Sequence, residues 1–414
     1  MNAPHIFPAQ CACLPLEGPA LPGSPTLRTL VEAITVGASA RDQQRVHPHD
    51  EIALLRKARF GALRLPVAQG GGGASLRQLL EAVLELAAAD SNVAHVLRNH
   101  FSFVERFVLP VPGQAPSRWL QAVADGAVFG VAAGELATTA VGNGAVDTTV
   151  VPAPGGGYLL NGTKFYSTGS LYADYVLVRA HLPDGRNASA IVPTHRQGVR
   201  LDDDWYGMGQ RLTGTGTTRL EQVHVGEDEL LVDTDGANYR IPYSATLSQL
   251  FLTTVNAGIL RAIQREAVAL VLRRGERNFA HGLAPCPADD PLLQQTIGEI
   301  ASSAFAAEAT VLAAADALDR VAVSRQQGAH DRELGLQGSL ASAKAKVVVD
   351  ALVLRAASQL FDVGGASATT QRYNLDRHWR NARTLASHNP ASLKARILGE
   401  YEVRGTPLPT GGFF

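Results

Sequence analysis

From residue 25 to about residue 110, apolar residues recur every three or four positions. The stretches are "SPTLRTLVEAI", "PHDEIALLRKARFGAL" and "SLRQLLEAVLELAAADSNVAHVLRNHF", and this is the period of an amphipathic helix. Ser24-Pro25 puts an N-cap residue before a first-turn proline, a helix start. Between about residues 127 and 235 the period shortens to two, amid glycine, threonine and valine. Asn161-Gly162 in "GGGYLLNGTKFYS" and Asp184-Gly185 in "YVLVRAHLPDGRNASAIVP" predict hairpin turns there, and "TTRLEQVHV" adds an alternating strand. From about residue 243 the helical period returns in three long alanine-rich stretches that end at Gly364-Gly365. Small residues at that density let long helices pack closely. Their length exceeds the globular average, which favours packing against sister subunits.

The expected architecture is α+β. It comprises a flexible leader (1–23), an N-terminal α-helical domain (24–126), a middle antiparallel β domain (127–240), a C-terminal four-helix bundle (241–397) and a tail (398–414). The leader has neither the basic start nor the apolar run of a signal peptide, and no apolar run is expected to reach bilayer length. Cys11, Cys13 and Cys286 show no framework spacing, which points to a reducing compartment; the cytoplasm is expected. Lys+Arg (37) nearly cancels Asp+Glu (38). That balance lacks the electrostatic footprint of a nucleic-acid binder and points to small, not strongly charged ligands.

Four stretches carry a resemblance: "NGTKFYSTG" (161–169), "WYGMGQRLTGTGTTRLEQVHV" (205–225), "RRGERNF" (273–279) and "QLFDVGGASATTQRYNLDRHWRNAR" (359–383). In this order and spacing the chain resembles the acyl-CoA dehydrogenase superfamily from about residue 25 to residue 400. The resemblance implies a flavin, with Thr168 hydrogen-bonded to the isoalloxazine and Tyr166, Ser167 and Trp205 beside the ring. Arg277, Arg383, Gly364 and Gly365 would serve its phosphate. As bare residues, Tyr166 and Trp205 also read as core aromatics, and the two glycines as a plain helix cap.

The dehydrogenases of that superfamily abstract a proton with a glutamate. Matching the family's Arg-Asp-Ala-Arg sequence to Arg380-Asn381-Ala382-Arg383 puts Asn389 where the glutamate should stand, and an amide is no general base. The alternative position falls near Phe251, again without a carboxylate. His388, in His-Asn-Pro, instead resembles the flavin-dependent monooxygenase branch that includes dibenzothiophene monooxygenases. Leu385 departs from that branch, which often has a second histidine there, and an asparagine expected near "FGVAAGE" is missing. The resemblance implies a two-component monooxygenase. Reduced FMN (FMNH2; FAD as the alternative) would come from an NAD(P)H:flavin reductase and form a C4a-(hydro)peroxyflavin with O2. A small organosulfur or aromatic substrate would then be oxygenated. His388 is the expected catalytic residue, titrating near neutrality, with His100 a second. Asn99, Phe251 and Asn389 are expected in the substrate pocket. His95 and His100 are five apart, unlike a helical metal pair, and no metal is expected. A homotetramer is expected, without nucleic-acid or membrane partners. The competing readings are an FAD-dependent acyl-CoA dehydrogenase and a catalytically inactive flavin-binding homologue.

Overall fold

Helix α1 (Pro25–Thr35) begins where the sequence places it, with Ser24 Oγ accepting the Leu27 N–H at 3.1 Å. The structure, a computed structural model, describes residues 16–110, 113, 115–136, 147–233, 244–329, 331–409 and 414. Cys11, Cys13 and most of the leader lie outside them. Helices α2 (Ala38–Gln44) and α3 (His49–Lys57) follow. The long apolar stretch after Ser75 is broken into α4 (Leu76–Ala89), α5 (Ser91–Val96) and α6 (Arg98–Phe103), the last running into a π turn, Val104–Val108. Asp90 makes the first break. Its Oδ1 caps the Asn92 N–H at 3.0 Å while Oδ2 takes Nη2 of Arg41 at 3.0 Å. Arg41 also reaches Glu51 at 2.6 Å. A buried guanidinium needs such partners, and that need outweighs the helix propensity of the run. A short helix, α7 (Leu120–Ala124), leads to the sheet.

The described strands are β1 (Phe129–Ala132), β2 (Thr149–Pro152), β3 (Tyr158–Lys164), β4 (Tyr175–His181), β5 (Asn187–Pro193), β6 (Val199–Leu201), β7 (Thr218–Val225) and β8 (Leu230–Val232). They form one sheet in the order β6-β7-β3-β2-β4-β5-β8, with β1 beside β4. Pairing is antiparallel except for β1 and β2 against β4. Asp184-Gly185 turns as expected, with the Leu182 N–H on the Arg186 carbonyl at 2.9 Å. Asn161-Gly162 does not: it lies inside β3, at a register shift against β7. A Cβ at Gly162 would come within 2.3 Å of Thr148 Oγ1, so this glycine permits a close approach of chains. The hairpin before β3 is closed by Gly155–Gly157, with the Ala153 N–H on the Gly157 carbonyl at 2.9 Å.

Three long helices, α8 (Ser244–Arg274), α9 (Pro291–Gln326) and α10 (Arg332–Gly364), pack side by side. Helices α11 (Asp376–Ser387) and α12 (Ala391–Arg404) take the fourth place of the bundle against α10. Buried Ala304, Ala307, Ala314, Ala315, Ala356 and Ala357 let the helices approach. Helix α4 crosses α8 and α9, and Asp319 accepts the Leu76 and Arg77 N–H groups at 2.5 and 2.9 Å. The first helical layer and the bundle thus share one core. One expectation is corrected: α9 is long and apolar enough, by length and composition, to cross a bilayer. Of that apolar stretch, 33% is buried inside the protein.

Candidate active site

The stretch after β3 makes a tight turn. Tyr166 adopts a left-handed backbone (φ 58°) that a large side chain rarely takes, a strain typical of functional sites. Its ring is exposed and stands edge-on to Trp205, 6.0 Å between centroids. The Ser167 N–H bonds the Gly216 carbonyl at 3.1 Å, while its Oγ is buried without a hydrogen-bond partner among the described residues. Thr168 Oγ1 receives Thr215 Oγ1 at 2.9 Å, and its carbonyl accepts Asn99 Nδ2 at 2.8 Å. Asn99 on α6 therefore meets the turn directly.

Gln210 ties this turn to two helical elements. It too has a left-handed backbone (φ 52°), held by contacts at nearly every polar atom. Its N–H donates to Asn381 Oδ1 on α11 at 2.6 Å. Its carbonyl takes Trp205 Nε1 and Thr213 Oγ1, each at 2.9 Å. Its side chain donates to Ser91 Oγ at 3.1 Å, so Oε1 faces His95 Nδ1 at 3.0 Å. The neighbouring Gly209 has no Cβ for a reason: one would sit 2.1 Å from the Arg380 carbonyl.

This arrangement sets the state of His95. Nδ1 carries the proton toward Gln210, and Nε2 keeps a lone pair that is buried with no partner among the described residues. Burial, then the charge of Arg98, pushes its pKa down to about 3, so the ring is neutral and offers an acceptor. The motif reading discounted His95 because it looked only for metal spacing. The signal that could have found it was Gln210 in "GMGQR", though no spacing rule links 95 to 210.

His388 stands at the corner between α11 and α12. It is solvent-accessible, yet protein surrounds it closely enough that burial drives its pKa well below the ordinary histidine value, with Arg98, His95 and Lys346 adding repulsion. The expectation that it titrates near neutrality is corrected: burial first, and then three cationic or basic neighbours, push its pKa well below the usual histidine value. Asn389 is buried, its Nδ2 3.4 Å from Gln249 Oε1 on α8. Ser248, one residue earlier, accepts Arg98 Nε through its carbonyl at 3.1 Å. Residues 95–99, 248–249 and 388–389 therefore meet around one recess beside the 166–168 turn.

Two expected site residues lie elsewhere. His100 is fully buried, with Nε2 donating to the Gly61 carbonyl at 2.9 Å and Nδ1 accepting the Phe129 N–H at 3.2 Å. With both nitrogens used by backbone and its pKa lowered to about 4 by burial, it joins helix to strand and is no catalytic group. Phe251 is a core residue, its ring 6.2 Å from that of Phe101, not part of a pocket. Arg277, Gly364 and Gly365 cluster at one end of the bundle, where Arg274 Nη1 bonds the Val363 carbonyl at 3.1 Å. There Gly365 ends α10 in a left-handed conformation (φ 62°), and a Cβ on it would meet the Phe279 ring at 2.8 Å. Arg383 is half-buried on α11, with Nε on Ser387 Oγ at 3.2 Å.

A flavin ring asks for a flat apolar wall, hydroxyl or amide donors at its polar edge, and a dry surround. The residues present fit it: an exposed Tyr166 braced by Trp205, an orphaned Ser167 hydroxyl, Thr168, and the orphaned lone pair of His95. Buried polar atoms without partners are uncommon in native proteins, and here two gather at one recess.

Comparison with known proteins agrees with this geometry. Residues 134–223 match the acyl-CoA dehydrogenase middle domain, and residues 250–392 match the acyl-CoA dehydrogenase C-terminal domain. The chain is 30% identical over 406 residues to a probable FMNH2-dependent monooxygenase, SfnC, of Pseudomonas putida, covering 96% of this chain and 98% of that protein. It is 29% identical over 401 residues to a dibenzothiophene monooxygenase of Mycolicibacterium goodii, covering 93% and 92% of the two. The crystal structure of FMN-bound TdsC from Paenibacillus sp. A11-2 superposes with a TM-score of 0.84 at 29% identity, over 94% of this chain and 98% of that one.

Proposed function

The chain belongs to the acyl-CoA dehydrogenase superfamily, in its branch of reduced-flavin monooxygenases, and on that premise we propose how its recess does the work. It is a flavin-dependent oxidoreductase that uses reduced FMN. When bound, reduced FMN supplies the two electrons that, with O2, put one oxygen atom into the substrate and release the other as water.

Tyr166 and Trp205 wall the ring, while Ser167 and Thr168 hydrogen-bond its polar edge. His95 Nε2 accepts a hydrogen bond, since Gln210 holds its proton on the far nitrogen. His388 accepts a proton and returns it at its imidazole. Arg277, Gly364 and Gly365 serve the phosphate, by analogy of motif, and Arg383 lies on the helix that carries His388. Asn99 and Asn389 border the substrate. The observation that carries this reading is the base position: where a dehydrogenase needs a carboxylate, Asn389 is bound to Gln249 and Phe251 is sealed in the core.

The substrate is a small organic molecule, organosulfur or electron-rich aromatic, as the dibenzothiophene monooxygenase relative suggests. A separate NAD(P)H:flavin reductase supplies the cofactor, in the cytoplasm. The exposed face of α9, with Phe305, Leu292 and Val323, suits packing between subunits of a homotetramer. The test is turnover of an organosulfur panel with reductase, NADH, FMN and ¹⁸O2. One labelled oxygen per product is expected. Peroxide alone, with acyl-CoA reducing bound flavin, would overturn the reading.

A further inference from the structure

Several buried and half-buried arginines meet carboxylates: Arg41 meets Glu51 and Asp90, Arg64 meets Glu105, Arg377 meets Glu266, and Arg380 meets Asp42 and Asp376. Half-buried Arg98 has no carboxylate partner among the described residues. Its one hydrogen bond is from Nε to the Ser248 carbonyl at 3.1 Å, so both terminal nitrogens are without a protein partner among the described residues. Neither is sealed from solvent-sized space. A half-buried guanidinium with no counter-charge and two reachable terminal nitrogens is open to an anionic ligand.

Its setting is also fixed. Ser102 Oγ bonds the Arg98 carbonyl at 3.0 Å and Ser248 Oγ at 2.6 Å, pinning α6 to α8. Asn99, the next residue, holds the Thr168 carbonyl. Gln249, next to Ser248, holds Asn389 beside His388. The side chain therefore sits between the flavin turn and the His388 corner. The other basic groups acting on His388 are His95 and Lys346, and Lys346 already has Asp350 at 2.7 Å. Burial brings the pKa of Arg98 down to about 10, so it remains a cation at neutral pH.

We infer that Arg98 is the receptor for an acidic group on the substrate, a carboxylate, sulfinate or sulfonate held by its two free nitrogens. A planar fork suits such oxyanions. The inference rests on the monooxygenase reading for what happens to the substrate, but not for the binding itself.

The probe for binding is benzenesulfonate, titrated calorimetrically against the full-length protein. The probes for turnover are benzenesulfinate and its neutral counterpart, methyl phenyl sulfoxide, with reduced FMN and O2. Wild type is expected to bind benzenesulfonate, and Arg98→Met to weaken it about 30-fold or more, as befits a lost charge-assisted pair. FMN affinity is expected to stay within about 2-fold of wild type, less than one lost hydrogen bond. Arg98→Lys, which keeps the charge and loses the fork, should fall between and guards against misfolding of Arg98→Met. Preference of the wild type for the sulfoxide, unchanged benzenesulfonate binding in both variants, or a parallel loss of FMN would each overturn the inference. Arg98-dependent binding with no oxygenation of any probe would instead leave Arg98 as the receptor and count against the monooxygenase reading.

Discussion

Nδ1 of His95 lies 3.0 Å from Oε1 of Gln210, and through that contact the loop before β7 sets the proton position of a ring carried on helix α5. Gln210→Leu removes the partner and frees the ring. The expected result is a 10- to 100-fold fall in product per reduced flavin, roughly the effect of losing an outer-shell hydrogen bond, with peroxide rising in step. Gln210→Glu restores a hydrogen bond but favours the doubly protonated ring, which has no lone pair at Nε2. It should therefore fail to rescue. Product and peroxide yields from the same reaction decide this, and rescue by glutamate would sink the acceptor role of His95.

His388→Ala tests the proton-handling group. General acid–base assistance is worth about 10²–10⁴-fold, and a loss in that range is expected in product formation while FMN affinity holds. Because burial, helped by its basic neighbours, holds the His388 pKa well below the usual value, the wild-type rate should be flat from pH 8 down through 6.5. A rate that instead falls with an apparent pKa near 6.5 would contradict the electrostatics described here.

His100→Leu separates structure from chemistry. Two backbone partners lose their bonds inside a sealed site, costing about 2–4 kcal/mol of stability. The turnover of the folded fraction should be unchanged. Denaturant titration gives the first number and active-site-normalised kinetics the second.

Stability should decline below pH 6.5. His95 and His100 are held to about 3 and 4 in the fold, so the unfolded chain binds protons there that the native chain refuses. Their stabilising contribution is complete above the unfolded value of about 6.5 and is lost as pH falls toward the folded values, about 1.4 kcal/mol per unit for each. Urea unfolding at pH 7.5 and 5.5 should differ by roughly 3 kcal/mol from these two residues.

Lys394 shows the same sign of shift with a different consequence. It is buried, its Nζ 3.8 Å from the Phe414 ring centroid, and burial followed by repulsion from Lys346 lowers its pKa to about 7. Below that value the native state carries a buried charge; between about 7 and the unfolded 10.4 the unfolded chain alone is protonated, and native stability climbs with pH. Lys394→Met should therefore stabilise the protein, by about 1–3 kcal/mol at pH 6 and by less at pH 9. An equal gain at both values would mean the effect is packing alone.

Much of the architecture was written in local periodicity. The two-residue alternation of 175–193, with Asp184-Gly185 between its halves, has one solution as a hairpin, and Ser24-Pro25 caps a helix without help from distant residues. Asn161-Gly162 misled because the same dipeptide that turns a hairpin also permits a bulge. Only the nearness of Thr148 decides between them. The break at Asp90 was likewise invisible, since Arg41 and Glu51 are remote in sequence from the residue they hold.

The sequence by itself determined the order of helical and β segments and the absence of a carboxylate at residues 389 and 251, because these depend on residue types at fixed local spacings; the flavin chemistry came with the family resemblance that its motifs carry. Tertiary structure alone decided the electrostatics of the recess. A formal charge of −1 pointed to ligands that are not strongly charged, yet it averages over the chain, while Coulomb interactions depend on separation and burial. Whether His100 or His95 faces the recess, whether His388 is charged, and whether Arg98 has a counter-ion all follow from contacts between residues far apart in the chain.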